Sequence, residues 1–456
     1  MDFSLYNIDP PEFRIIERFE SEDGITYILS PSEKQEECPT CHSTDIIKWN
    51  SYTRKARDLS EHAKLVGLII NTHRYRCNNC HSTWVPSFRS VDSNAKMTNR
   101  MRKYIQKQSL SVPFSKISHE LDVSVPTIKN VFAQYVDSLD KRRNLSAPIV
   151  LGMDENYLNG KYRCIFTDIE NGLILDLLPD RRLISVREWI SKLPEKERIE
   201  CATMDMWGSY KDAVESELPN VPIVIDKFHV IKNLQEAFDS IRKGISDGLT
   251  SKERLHLKKS RFLMLKGAET LNLSEKLFLH DLLESFPDFK EPYSLKEDFR
   301  AIYGADTRTE AEALYLRWKD RASCIPGYLG FIDTVDNWSE EIFNYFDHPY
   351  TNAVTESLNG VCKEIAAVGR GYTFSVLRAK ILYGTKATRP AKFHYYEKET
   401  PVKMADAASY AFTPLVHKKQ KHVDVSEGVS IRLLAYLLGI KEFWKSKEEQ
   451  IIDIDN

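Results

Sequence analysis

Two short cysteine pairs constrain the N-terminal part of this chain more than any other feature. "CPTC" holds Cys38 and Cys41, and "CNNC" holds Cys77 and Cys80. A CxxC pair closes a tight knuckle that offers two thiolates to one metal ion, and two knuckles complete a tetrahedron. The stretch between them, "KLVGLIINTHRYR", is apolar and β-branched with polar ends, as in a strand. The spacing predicts a zinc ribbon whose Zn2+ is closed by four cysteines and is structural. A histidine follows each pair (His42 and His81), so a haem-attachment CxxCH and an imidazole replacing one thiolate stay open. Haem attachment needs export, and the start "MDFSLYNIDPPEFR" lacks the basic end and apolar middle of a secretory signal. A redox dithiol needs only one pair. With no apolar run of about 18 residues, no membrane span is expected, and the protein is expected to be cytoplasmic.

The net charge of −2 hides an uneven distribution. Residues 1–50 hold 4 basic and 11 acidic side chains, whereas residues 51–150 hold 17 basic and 7 acidic. The second segment is a candidate footprint for a polyanion, or else a solvated surface. Within it, "FSKISHELDVSVPTIKNVFAQYV" at 114–136 reads as a helix to Leu121, a turn at Asp122–Ser124, and a second helix. Ser124 is its expected cap and Pro126 is tolerated in its first turn. Ile128, Val131, Phe132, Tyr135 and Val136 form the expected buried face. Thr127, Lys129 and Asn130 are left to point outward near the N-terminus, where a recognition helix meets DNA. An earlier helix, "MTNRMRKYIQKQSL", supplies Met97, Met101, Tyr104 and Ile105 as a packing stripe. Together these predict a helix-turn-helix unit, against the plainer reading of a helical hairpin.

From residue 149 the pattern becomes strand, strand, strand, helix, strand, helix, strand, with hairpin signals at Asn159-Gly160 and Asn171-Gly172. That is the order of a ribonuclease H-like fold, and it places Asp154 in the first strand beside Asp205 at the end of the fourth. A long, mostly helical stretch follows, including "HVIKNLQEAFDSIRKGI" and a basic cluster from Lys252 to Lys266 that is either solvated or a DNA contact. Then comes "TNAVTESLNGVCK". On a helix, Asn352, Glu356, Asn359 and Lys363 share one stripe, and Val354, Leu358, Val361 and Ile365 share the opposite one, expected to enter the core. Glu356 is expected to join Asp154 and Asp205 in a cluster tolerable if divalent ions lie between the oxygens. Two Mg2+ (or Mn2+) suit hard carboxylate ligands and phosphodiester chemistry. Lys363 is read as a DNA contact or a solvated lysine. Asn352 and Asn359 are read as orienting Glu356 or touching nucleic acid, with a helix-capping role open to Asn352. Asp226, which ends the fifth strand, is the strongest competing acid. His229, three residues on, is a core histidine, a partner of a catalytic acid, or a DNA contact. Asp168 reads as structural, and Trp207, Tyr210, Trp318 and Trp338 as core or cleft wall rather than base-stacking platforms.

The cysteine ribbon with "HRYRCNNC", the helix-turn-helix, "GMDENY", "TMDMWGSY", "VIDKFHVIKN" and "TNAVTESLNGVCKE" occur in the order found in bacterial insertion-sequence transposases of the DDE class. The chain resembles the ISL-three group of that class nearly end to end. The resemblance implies Asp154, Asp205 and Glu356 as the catalytic triad. It also implies binding to the terminal inverted repeats of a mobile element and to target DNA, with strand cleavage and strand transfer by a homodimer or higher oligomer. The domains expected are a zinc ribbon with flanking strands (1–90), a helix-turn-helix (91–140) and a ribonuclease H-like core (148–226). A helical insertion (227–345), the rest of the core with the Glu356 helix (346–400) and a C-terminal helical tail (401–456) would follow. Two rival readings remain: a zinc-containing DNA-binding regulator without catalysis, and a ribonuclease H-like structure-specific nuclease.

Overall fold

The computed structural model describes residues 12–92 and 95–384. The expected C-terminal tail (401–456), with its amphipathic stretch "IRLLAYLLGIKEFW", lies outside the described residues. The chain divides into two compact units, one running through Arg143 and the other beginning at Asn144.

In the first unit, β1 (Phe13–Glu20), β2 (Gly24–Pro31), β3 (Ile46–Glu61), β4 (Lys64–Cys77) and the short β5 (Thr83–Trp84) form one sheet in the order β1-β2-β4-β3, with β5 on β4. β3 and β4 make a long hairpin that turns at His62 and Ala63, both with positive φ. Ile25, Tyr27 and Leu29 of β2 and Val66, Leu68 and Ile70 of β4 alternate inward to build its core, the period-2 pattern of a half-buried sheet. Helices α1 (Asn99–Ser111), α2 (Phe114–Leu121) and α3 (Val125–Arg142) follow. α1 begins later than the sequence suggests, because the Thr98 side chain caps it by accepting from the Met101 amide; Met97, though buried, precedes the helix. Asp122 ends α2 in the left-handed conformation. Ser124 occupies the N-cap position of α3, yet its hydroxyl meets the Thr127 hydroxyl at 2.9 Å and not a backbone amide. The sheet and α1 are joined by Asp58, whose buried carboxylate accepts from Arg100 (2.8 and 2.6 Å) and from the Thr98 hydroxyl (2.6 Å).

The second unit is a mixed α/β body. β6 (Val150–Leu158), β7 (Lys161–Asp168) and β8 (Leu173–Leu177) are antiparallel neighbours. β9 (Cys201–Met204) joins β6 in parallel, and β10 (Ile223–Ile225) joins β9, giving the order β10-β9-β6-β7-β8. Asn159 and Gly160, both with positive φ, make the β6–β7 turn. α4 (Leu183–Ser191) and α5 (Gly208–Glu217) connect the strands on one face, where Trp189 stacks on Phe166 at 3.8 Å. α6 (Lys227–Asp247) leaves β10 directly. Then come α7 (Ser251–Lys259), α8 (Arg261–Leu265), α9 (Leu273–Ser285), α10 (Lys290–Ile302), α11 (Arg308–Ala322), α12 (Leu329–Asn337) and α13 (Ser339–Phe343). These helices share one apolar core with the sheet, from Met153 and Phe166 through Phe238 to Phe299, Trp318 and Phe331. Asn344 ties their end back by donating to the Ile223 carbonyl at 2.9 Å.

α14 (Ala353–Gly369) and α15 (Phe374–Ala379) follow, the latter running on into a π-helical turn at Lys380–Gly384, with α14 on the opposite sheet face from α5. The buried face of α14 differs from the expected stripe. Thr355, Leu358, Asn359, Cys362 and Ala366 are buried, whereas Val354, Val361 and Ile365 are only half-buried. The cause is the polar sheet face that it meets, where the Thr355 and Thr167 hydroxyls share a hydrogen bond of 2.6 Å and Asn359 reaches β6. Gly152 makes this approach possible, since a Cβ there would lie 2.7 Å from Thr355 Oγ1 and inside contact distance of Thr167 and Ile169. Gly152→Ala is expected to cost about 1–3 kcal/mol through overpacking. A lowered denaturant midpoint with an unchanged slope would show it.

Candidate functional site: a thiolate knuckle pair and an acid cluster

The two cysteine pairs come together as their spacing suggests. Cys38, Cys41, Cys77 and Cys80 offer sulfur atoms all within 4.8 Å of one another. Cys38 and Cys80 are 3.6 Å apart at Sγ, as are Cys41 and Cys77. A tetrahedral zinc with Zn–S bonds near 2.3 Å has sulfur edges of about 3.8 Å, close to the two edges of 3.6 Å, so this set fits the ion. Both knuckles use the same backbone device. His42 and His81 take positive φ after the second cysteine, and Cys38 and Cys77 each donate an amide to a carbonyl further on, those of Ser43 and Ser82. The two histidines turn the chain, and their side chains are exposed, with His42 near Glu37 at 3.5 Å. Neither belongs to the thiolate group. Thr127, Lys129 and Asn130 are exposed on the first turns of α3 while Ile128, Val131 and Phe132 are buried; Tyr135 and Val136, expected in the core, are half-buried.

The second site lies where parallel strands end. Gly152 on β6 is in register with Thr203 on β9, so Asp154 and Asp205, each two residues on, arrive side by side. Asp226 follows β10, and its backbone amide donates to the Met204 carbonyl. Strand alternation turns Gly152, Asp154 and Asn156 toward α14 and Met153 toward α5. Asp154 is buried; one carboxylate oxygen accepts from the Glu155 amide and the other from Asn359 Nδ2, both at 2.6 Å. Asn156 in turn donates to Asn359 Oδ1 at 2.7 Å and to its carbonyl at 3.1 Å. Asn352 does not cap α14 with its side chain. It donates to the Met153 carbonyl (3.0 Å), accepts from Thr203, and gives its backbone amide to Asp226 Oδ1. The side chains of the two asparagines of the sequence stripe therefore hold Asp154 and the strand ends, the Asn352 amide holds Asp226, and the Asn352 carbonyl accepts from the Glu356 amide at 3.0 Å as the first bond of the helix. Lys363, further along the helix, is exposed.

The tightest group is Asp205, Asp226 and His229, whose ligand atoms lie within 4.8 Å of one another. His229 Nδ1 is 2.8 Å from Asp205 Oδ1 and 3.4 Å from Asp226 Oδ2. Burial alone would lower the imidazole pKa, but the two carboxylates raise it to about 10, so His229 carries a positive charge. Burial, and then the Asp205 charge, push the Asp154 carboxyl up to about 8. Glu356 is half-buried in the first turn of α14; burial and the charge of Asp226 hold it above the ordinary glutamate range. Four carboxylates thus feel one another. Asp226 and His229, secondary in the sequence reading, are central to the geometry. Asp205 Oδ1 and Asp226 Oδ2 are buried without an aligned hydrogen-bond partner. Hard carboxylate oxygens converging in this way, with a single imidazole between them, suit a divalent cation such as Mg2+. Asn156 escaped the sequence reading, although its place two residues beyond Asp154 on a strand puts it on the same face. Asp168 has the structural role expected of it, holding the Asn171 turn at 2.8 and 3.0 Å. Tyr210 and Trp318 are buried, but Trp207 is 39% exposed, contrary to a core placement.

Residues 151–381 match the ISL3 transposase family model. The chain belongs to that transposase family. Residues 34–80 match a second model, the zinc finger of the IS204, IS1001, IS1096 and IS1165 transposases, which covers the first knuckle and reaches Cys80 of the second. A curated relative, the transposase for insertion sequence element IS1001 of Bordetella parapertussis, is 22% identical over 357 residues, 76% of this chain and 88% of its own length. Among the described residues of this transposase, no helix is long and apolar enough to cross a membrane. One zinc per chain is expected by plasma emission spectroscopy, with on the order of 10 kcal/mol of binding energy coupled to folding. Cys77→Ser should lose that zinc and lower the thermal midpoint; full zinc retention in this variant would reject the site.

Proposed function

We propose that this transposase cuts DNA at the terminal inverted repeats of its own insertion element and joins the freed ends to target DNA, with Asp154, Asp205 and Glu356 as the catalytic acids. One observation carries the reading: paired parallel strands bring Asp154 and Asp205 side by side, and Glu356 stands on the helix packed across them, close enough for its charge to act on Asp154. The sheet order, three antiparallel strands followed by two parallel ones, supports a ribonuclease H-like core whose insertion is α6 to α13. Within the first unit, the 1–90 ribbon region and the 91–140 helices would read the repeats, with Thr127, Lys129 and Asn130 of α3 meeting the DNA. Lys363 would hold a phosphate as a point charge. A dimer or larger assembly would bridge two ends, in the cytoplasm, on the nucleoid.

Two Mg2+ ions, when bound, would supply Lewis-acid stabilisation of the phosphoryl oxygens and a water acidic enough to attack at neutral pH. Asp154, Asp205 and Glu356 would hold them. Asn359 and Asn156 keep the Asp154 carboxylate in one orientation by donating through a short relay. Asn352 holds Asp226 and the start of α14 to β6 and β9, so that Glu356 enters from a fixed helix end. His229 offsets charge between Asp205 and Asp226. Hydrolysis at the element end frees a 3′-hydroxyl, and in-line attack of that hydroxyl on a target phosphodiester transfers the strand, with no covalent enzyme intermediate.

Asp205→Asn and Glu356→Gln should fold and bind end DNA as the parent does, yet lose Mg2+-dependent cleavage by at least 100-fold, the scale of electrostatic terms in catalysis. A gel assay on labelled end duplexes measures this, and a second arm with pre-cut ends and a target plasmid separates a transposase from a nuclease. Parent-like cleavage by either variant would exclude the proposed triad. DNA binding without any cleavage by the parent would favour a zinc-bearing regulator.

A further inference from the structure

Beside the acid cluster, on the other face of the sheet, three aromatic rings stand in solvent around one arginine. Tyr157 is 56% exposed, Tyr162 49% and Trp207 39%. Arg181 lies over two of these rings, its guanidinium carbon 4.4 Å from the Tyr162 centroid and 4.1 Å from that of Trp207. Tyr157 meets Tyr162 edge-on at 4.9 Å, and Glu155 holds Arg181 in an ion pair. A cluster of this kind is unlike the scattered single apolar residues of an ordinary surface. It is also held in place. Tyr157 and Tyr162 are register partners on the β6–β7 hairpin, and the turn residue Asn159 donates to the Tyr372 carbonyl at 3.1 Å.

The position of the cluster indicates what it takes. Glu155 follows Asp154 directly, and Trp207 is two residues beyond Asp205. Two residues span at most about 7 Å of chain. DNA rises about 3.4 Å per nucleotide along a strand, so the rings lie within about two nucleotides of a phosphate held by the acids. Because Glu155 and Tyr157 alternate to the face away from Asp154, a strand would have to leave the acids and bend round the strand ends to reach the rings. A base in a closed duplex could not do so, but an unstacked one could. Neutral bases stack on aromatic rings and on guanidinium planes without regard to sequence, and the Arg181 charge that would otherwise draw a phosphate is already paired with Glu155.

We propose that Tyr162, Trp207 and Arg181 form a stacking platform for one unpaired nucleobase flanking the phosphodiester that is cut. The inference rests on the transposase reading of the acid cluster. Tyr157 braces Tyr162, and Glu155 fixes the guanidinium as part of the stacking surface. Sequence reading ranked core or cleft wall above a base-stacking role for Trp207, because an aromatic residue just after a strand end resembles a core residue until the exposure of its neighbours is known.

The test uses full-length protein and duplexes bearing the inverted repeat that flanks this chain's own reading frame. 5-Iododeoxyuridine is placed in turn at each nucleotide within three of the cut, and photo-crosslinks are mapped by mass spectrometry. Crosslinks to Trp207 or Tyr162 from one flanking position are expected. Trp207→Ala should lower cleavage of the paired end roughly 5- to 150-fold, the range for loss of one base–aromatic stack. A mismatch at the flanking position should return most of that loss, and Trp207→Phe should stay within about threefold of the parent. Asp205→Asn separates the two ideas, since it should abolish cleavage while keeping the crosslink. Continued cleavage by that variant would reject the acid assignment but leave the platform standing. The platform is overturned if the crosslinks fall elsewhere, or if Tyr162→Ala and Trp207→Ala, with thermal midpoints near the parent's, cut paired and mismatched ends to the same extent.

Discussion

Carboxylates forced together at the end of a sheet repel one another, and the second unit is built to hold them there. At an effective dielectric near 20, two charges about 4 Å apart oppose each other by roughly 4 kcal/mol. Asp205 and Glu356 bear on Asp154, Asp226 and Asp205 bear on Glu356, and burial with this crowding raises the Asp154 pKa to about 8. What restrains them is rigid. Parallel pairing fixes Asp154 against Asp205, the Asn359–Asn156 relay orients Asp154, and the Asn352 amide holds Asp226. Gly152 lets α14 come close enough for the relay to form. His229 contributes the nearby positive charge.

This arrangement explains why the helical region between β10 and α14 does not stand apart. Its core is continuous with that of the sheet, and Asn344 anchors its far end to β10. The region therefore helps to fix the two places from which Asp226 and Glu356 enter. The first unit follows a different logic. Its metal-ligand knuckles organise one end of a long hairpin, while Asp58 ties the other end to α1.

Much of this could be read in the sequence, for identifiable reasons. The CxxC pairs, the two Asn-Gly turns and the strand order are local signals whose chemistry admits few alternatives, and the β6–β7 and β7–β8 hairpins and the cysteine cluster follow them. Adjacency of Asp154 and Asp205 followed from topology alone. The faces of α14 were less legible: a helix that packs on threonine, asparagine and glycine buries polar side chains, so hydrophobic periodicity points to the wrong stripe. The weight carried by Asp226 and His229 depends on how β10 ends beside β9, which no spacing along the chain reports. The exposure of Trp207 depends likewise on Arg181, a residue that belongs to no motif.

The central claim is that Asp154, Asp205 and Glu356 converge to hold divalent cations. It is tested most directly by anomalous diffraction from crystals of the full chain soaked in Mn2+. Two manganese peaks about 3.5–4 Å apart, with Asp154, Asp205 and Glu356 among their ligands, are the expected result. Manganese held only by Asp205, Asp226 and His229, with Glu356 turned away, or no manganese in this cluster at all, would contradict the account.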